Sequence, residues 1–316
     1  LNYIKMGLDV SGLSVYTDEN KLDLIKKSIL EGRTLNYVTV QPDIKSSATI
    51  NIIDSTLVGQ AGSCGFNSDG TTVLSQRSLG VAPIKVNESI CVETLESYYT
   101  QKMMNAGSYN ESIPFEQIYA EDKAEKIADM LESIVWKGDT TGSGNLALAD
   151  GLLKVIDAEG SVVDGNTGAV TAATGVTAAN VIDIVDGMVS AVPADIIDAE
   201  DLVLFMGYDA YRLYAKALRD ANLFAYNGQE NQGEKFSQMV PGTNVKVLAV
   251  KGLNGSDRMI LSRTANLYVG TDLLNDAEQF SIFYSKDNDE VRFVAKLKIG
   301  TQIAFPEFVV EFTLVP

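Results

Sequence analysis

Residues Pro114–Gly138 read PFEQIYAEDKAEKIADMLESIVWKG, and the periodicity of this stretch decides the fold. Ile127, Leu131, Ile134 and Val135 recur at the i, i+4, i+7, i+8 spacing of a single apolar stripe, and Ala120, Ala124 and Ala128 extend it backwards. Pro114 suits a first turn, where a missing N–H costs nothing, and Gly138 is expected to close the helix as a left-handed residue. Glu116, Glu121 and Asp122 lie near the positive end of the helix dipole and Lys137 near the negative end. The pattern predicts a helix roughly 35 Å long. With one apolar stripe and a charged back, it is a spine on which other elements pack.

The rest of the composition sets limits on what that spine serves. A chain of 316 residues buries a sizeable core and has room for two domains. Its net charge is −17, and acids outnumber bases in each of the segments 1–44, 45–139, 140–268 and 269–316. No segment is basic, so a role in neutralising phosphates is not expected. The chain has no histidine, which removes the commonest general base, metal ligand and triad partner together. Cys64 and Cys91 form no CxxC or metal spacing, as expected of a reducing compartment. No apolar run reaches the ~20 residues of a membrane span, and no signal-peptide core follows Leu1. Since the first residue is Leu, processing or trimming upstream is expected.

Towards the N-terminus from the spine, a helix is predicted at Glu19–Leu30 and a strand at Leu35–Val40. Residues 1–44 hold too little apolar content for a core of their own, and the reading is an arm that packs on something else. Thr49–Leu57 and Thr71–Leu79 are strand-like and flank the glycine-rich GQAGSCGFNSDG, which makes a long hairpin. Its faces carry few large hydrophobes, so it is expected to project and to need support from a neighbouring chain. Ile84–Val92 alternates as a half-buried strand, and Glu93–Met104 reads as a helix.

Beyond the spine, DTTGSGNLALADGLLKVI is a link; its Gly142–Gly144 pair lacks the preceding strand and GK[ST] of a phosphate loop. Ala158–Gly175 reads as loop with short strands. Thr177 is expected to cap a helix with Val181, Ile182, Val185, Val189 and Val192 on one face and Pro193 as its stop. A buried strand at Leu202–Met206 and a helix at Tyr208–Arg219 follow, with Tyr211, Tyr214 and Leu218 read as core. Strands are predicted at Val245–Val250 and Met259–Leu261 around a Gly252–Ser256 turn, which completes a second α+β unit. In the tail, Gln279–Ser285 and Glu290–Ile299 flank a turn. Val291, Phe293, Ala295, Leu297 and Ile299 point one way, and Arg292, Lys296 and Lys298 the other. Thr301–Leu314 adds strand, broken by Pro306. Asp287 and Asp289 lack the glycine and distal Glu of a cation loop.

The order of these pieces resembles the major capsid proteins of tailed double-stranded DNA phages with the Hong Kong 97-like fold. IVWKGDTTGSGNLALADGLLKVI (Ile134–Ile156) resembles that family's exit from the spine helix, and VPGTNVKVLAVKGLNGSDRMILSRTANLYVGTD (Val240–Asp272) its passage back. QFSIFYSKDNDEVRFVAKLKIGTQIAFPE (Gln279–Glu307) is similar to capsid proteins of crAss-like phages. The resemblance implies an α+β fold with an N-arm (1–44), an extended E-loop hairpin (45–82), a peripheral domain (83–139 and 269–316, spine helix about 114–138) and an inserted axial domain (140–268). It implies a structural protein and not an enzyme, with no catalytic, metal or cofactor residues. Copies would assemble as pentamers and hexamers into an icosahedral virion shell in the host bacterial cytoplasm. Its partners would be portal and auxiliary or decoration proteins, without a membrane, and genomic double-stranded DNA would be enclosed without sequence-specific binding. Some members of the family join subunits through an E-loop Lys; Ser46–Ala82 holds Arg77 and no Lys, so no such crosslink is expected. The alternatives are an encapsulin-type nanocompartment shell, a carboxylate-dependent enzyme using Asp195, Asp198, Glu200 and Asp201, and a surface adhesin.

Overall fold

A computed structural model of the chain describes residues 33–62, 69–91, 115–168, 170–221, 236–272, 280–285, 287 and 290–315. The helices expected at 19–30 and 93–104 lie outside these residues. Along the chain run β1 (Thr39–Gln41), β2 (Ser47–Thr56), β3 (Thr71–Gly80), β4 (Ala82–Cys91), α1 (Phe115–Lys137), α2 (Leu152–Asp157), β5 (Val163–Asp164), α3 (Val181–Ser190) and β6 (Leu202–Met206). They are followed by α4 (Tyr208–Asp220), β7 (Ser237–Met239), β8 (Lys246–Ala249), β9 (Met259–Arg263), β10 (Leu267–Thr271), β11 (Phe280–Ser285), β12 (Glu290–Ile303) and β13 (Val309–Phe312).

Among the described residues these strands form three sheets. β2 and β3 form a two-stranded hairpin. β12 is the axis of a five-stranded sheet: its strict alternation buries Phe293, Ala295, Leu297 and Ile299 and leaves Lys296 exposed. One edge of β12 takes β4, and the other takes β11 and then β10, with β1 parallel on β10. The third sheet has six strands in the order β5-β13-β9-β6-β8-β7. Leu202, Val203, Leu204, Phe205 and Met206 of β6 are all buried, as suits a central strand with both faces covered.

Helix α1 buries the predicted stripe, Ala124, Ile127, Ala128, Leu131, Ile134 and Val135, and Trp136 with it. Its core reaches beyond the sheet of β4 and the tail. Leu131 and Ile134 share one cluster with Phe293, Leu297 and Ile299 of the five-stranded sheet and with Val203, Phe205, Leu248 and Val250 of the six-stranded one. The spine is therefore the common wall of both sheets. Helices α3 and α4 cover the six-stranded sheet through a second core that includes Val185, Met188, Tyr214 and Leu218.

Several local expectations are corrected. Gly138 is not left-handed; it is required because a Cβ there would lie 2.2 Å from the Ala149 carbonyl oxygen, where the chain returns against the end of α1. Thr177 does not cap α3, which begins four residues later at Val181. Asn180 holds the intervening turn, accepting the Thr177 N–H at 2.7 Å and donating to the Gly175 carbonyl at 2.9 Å. The face of α3 that turns inward includes Ile184 and Met188 in place of Ile182 and Val189, which stay half-buried. Leu35–Val40 is a 3-10 turn (Thr34–Asn36) followed by the short β1. The tail 269–316 does not all lie in the spine layer: β13 leaves it and pairs with β9 and β5 in the six-stranded sheet.

Candidate assembly surface

The hairpin β2–β3 pairs in unbroken register from Ser47↔Gly80 to Thr56↔Thr71, so facing residues share a face and the two faces can be read separately. At its root one face carries Ile50, Ile52 and Leu79, which are buried against Ile44 and Ala304. Polar contacts fix this root to the body. The Val81 N–H donates to the Ser46 carbonyl at 2.9 Å, Gln302 Nε2 to the Ser78 carbonyl at 2.9 Å, and Lys298 Nζ to the Lys45 carbonyl at 2.9 Å. From the side, the Arg77 guanidinium grips the Glu159 carboxylate just beyond α2, with Nη2 to Oε2 at 3.2 Å. Gly300 of β12 meets the hairpin so closely that a Cβ there would lie 1.9 Å from the Gly80 carbonyl oxygen.

The outer half has no such cover. Ile53 and Leu74 sit directly opposite one another on the outward face, 65% and 75% exposed. They lie beside the Gln76–Asn51 amide hydrogen bond of 2.9 Å. Val73 faces the other way, and Leu57 and Val58 approach the tip, with Leu57 95% exposed. Of the ten large apolar side chains exposed among the described residues, five belong to this hairpin, so the apolar surface is concentrated on one projecting element. The large hydrophobes of the hairpin are few, as the sequence reading has them, and those beyond the root are left uncovered on both faces. Burying each would contribute about 1.5–3 kcal/mol.

A second feature secures the segment before the hairpin. Thr34 and Glu132 are both buried, Glu132 towards the C-terminal end of α1. The Glu132 carboxylate accepts the Thr34 N–H at 3.2 Å and the Thr34 hydroxyl, and Trp136 Nε1–H donates to that same hydroxyl oxygen at 2.7 Å. Burial pushes the Glu132 carboxyl up, opposed by the Thr34 hydrogen bonds and the charge of Arg33. Arg33 Nη1 donates to the Ala249 carbonyl at 2.9 Å, and Lys246 Nζ to the Tyr37 hydroxyl at 2.9 Å. With β1 paired to β10, residues 33–41 clasp both sheets to the spine. Sequence reasoning missed this node, because a lone Glu in a charged helix carries no signal of burial.

The positions singled out for chemistry do not converge. Asp195, Asp198 and Glu200 are exposed in the turns before β6, while Asp201 accepts from Arg263 Nε at 2.8 Å. Gly144, at φ +72°, opens a short 3-10 turn rather than a phosphate cradle. Beside it, hydrogen bonds from Lys154 and Thr141 lower the Asp139 carboxyl to about 2. Asp287 is exposed in a turn; Asp289 and Cys64 lie outside the described residues, and Cys91 ends β4. Among the described residues no cluster of three or more His, Cys, Asp or Glu could hold a metal ion, and no helix is long and apolar enough to cross a membrane.

No protein-family model matches the chain, and no curated protein does. Solved structures match it along almost its whole length. The satellite phage P4 procapsid with its size determination (Sid) protein aligns over 93% of this chain and 99% of its own, with a TM-score of 0.58 and 14% identity. The capsid of an empty GTA particle gives 0.58 at 14% identity over 92% and 90%, and the capsid of Myoviridae phage XM1 gives 0.53 at 14% over 91% and 92%. The chain is thus similar to capsid shell proteins over about nine-tenths of its length, and its mixed α/β fold is theirs.

Proposed function

We propose that this chain is the major capsid protein of a tailed double-stranded DNA phage, built on the Hong Kong 97-like fold and similar to crAss-like phage capsid proteins. Copies assemble as pentamers and hexamers into an icosahedral shell. In this reading residues 1–44 form the N-arm, 45–82 the E-loop and 140–268 the axial domain. Residues 83–139 and the tail from Val269 form the peripheral domain, apart from β13, which serves the axial sheet. The observation that carries the proposal is the alignment with capsid shells over nine-tenths of both chains. The hairpin adds a physical reason: anchored at its root and apolar on both faces beyond, it gains its missing cover from neighbouring copies. The chain's only chemistry is then interface formation, with no catalysis. The spread acidic charge suits a container that encloses DNA without gripping it. Portal and decoration proteins would be its partners in the virion, assembled in the bacterial cytoplasm.

Negative-stain electron microscopy of the expressed chain tests this. Uniform shells, tubes or capsomer rings are expected, and a monodisperse monomer across a range of salt concentrations would refute it. Packaged protein cargo in place of nucleic acid would move the reading to an encapsulin-type shell, which the phage and GTA likenesses do not favour.

A further inference from the structure

The unit built on the six-stranded sheet carries two patches of opposite charge on different elements. On α4, Arg212, Lys216 and Arg219 recur at i, i+4, i+7, and all three are exposed. Their ties to their own chain are slight: Lys216 to Asp220 at 3.5 Å, both more than half exposed, and Arg219 Nε to the Ala215 carbonyl at 3.3 Å. In a chain of net charge −17, a basic stripe runs against the trend.

The second patch is a groove of about 560 Å³ at the end of the sheet, where α3 stops and β6 and β8 begin. Val189, Val192, Ile197, Leu202 and Val245 line it, with Asp198 at the lip. Asp195 and Glu200 are exposed in the same turns as Asp198, and Ile197 is 51% exposed. Helix α4 covers a face of the sheet, whereas the groove opens at the sheet's end. A contact between two different patches of one subunit type is heterologous, and heterologous contacts repeat head to tail, into a ring where the rotation between copies closes.

We infer that the basic stripe of α4 on one copy seats against the acid-lipped apolar groove of the next, and that this contact closes the capsomer ring. The inference rests on the shell reading above and names the residues that hold neighbours together. The arginine and lysine stems cover the exposed Ile197 and the half-buried Val189 while their charged ends meet Asp195, Asp198 and Glu200. Charge complementarity sets the direction of travel around the ring and excludes the reversed pairing.

Charge reversal tests it, with electron microscopy and sedimentation as readouts and far-UV circular dichroism as the check on folding. Arg212→Glu/Arg219→Glu alone, and Asp198→Lys/Glu200→Lys alone, are each expected to fold but to lose rings and shells. The chain carrying all four changes is expected to regain both. An equal mixture of the two double variants is expected to form rings in which they alternate, which allows six-membered rings and forbids five-membered ones, so closed icosahedral shells stay absent. The inference is overturned if either double variant assembles like the parent, if the fourfold variant stays unassembled, or if the mixture makes five-membered rings. Failure of the unmodified chain to form any shell would instead count against the proposed function.

Discussion

Leu131 lies at the centre of the spine's buried stripe, 2% exposed, in the cluster that joins α1 to both sheets. Replacing it by Ala removes a side chain from a closed wall, and substitutions of this kind cost about 2–5 kcal/mol depending on how far the surroundings collapse. The upper part of that range applies here. Leu131 already borders a small void shared with Leu35, Val40, Val269 and Leu297, and these residues sit on separate elements tied down by pairing, so the enlarged cavity cannot close. Against a typical stability of about 5–15 kcal/mol, Leu131→Ala is expected to leave a folded but weakened subunit. Leu131→Asp adds an unpaired buried charge and is expected not to fold. Urea unfolding of unassembled subunits, followed by far-UV circular dichroism, measures both. A loss below about 1 kcal/mol for the alanine variant, or folded soluble capsomers from the aspartate variant, would refute α1 as the common wall.

Three further outcomes are expected. Thr34→Val removes the hydroxyl that donates to Glu132 and accepts from Trp136, and leaving buried polar partners unmet costs about 1–3 kcal/mol each; Thr34→Ser should restore most of it, read by the fluorescence of the single tryptophan. The Glu132 and Glu311 carboxyls are raised by burial, so the folded state holds their protons more tightly than the unfolded one. Their contribution is full below the ordinary carboxylate range and is lost as pH rises through their folded values, so melting temperature measured against pH should fall less steeply above pH ~5 in Glu132→Gln than in the parent. Finally, with no Lys in Ser46–Ala82, boiled and SDS-treated particles should run as monomers, and a ladder of covalent oligomers would contradict the reading of the hairpin.

What could be read from the sequence follows from range. The stripe of α1, the all-apolar β6, the tyrosines of α4 and the alternation of β12 are local periodicities that burial enforces, and the structure keeps them. The misses are contacts between distant residues. The buried Glu132 finds its partner in Thr34, far away in sequence, whose N–H and hydroxyl it accepts. Gly138 is needed for the return of Ala149 and not for its own dihedral angle. β13 looks like any other tail strand until β9 and β5 open a place for it. The exposed Ile53–Leu74 pair was hidden for a different reason: alternation shows which residues share a face, but not whether anything covers it.

The position of β13 between β5 and β9 also bears on timing. A ribosome makes both neighbours well before it makes the strand that joins them. Until residue 312 has been synthesised, β9 presents an unpaired edge and β5 has no sheet to join. The nascent chain can set its spine helix early, but the unit bearing the proposed ring contacts stays unfinished until the tail has been made. In the proposed shell, subunits would therefore become competent to associate only once β13 is made, all at the same stage of synthesis.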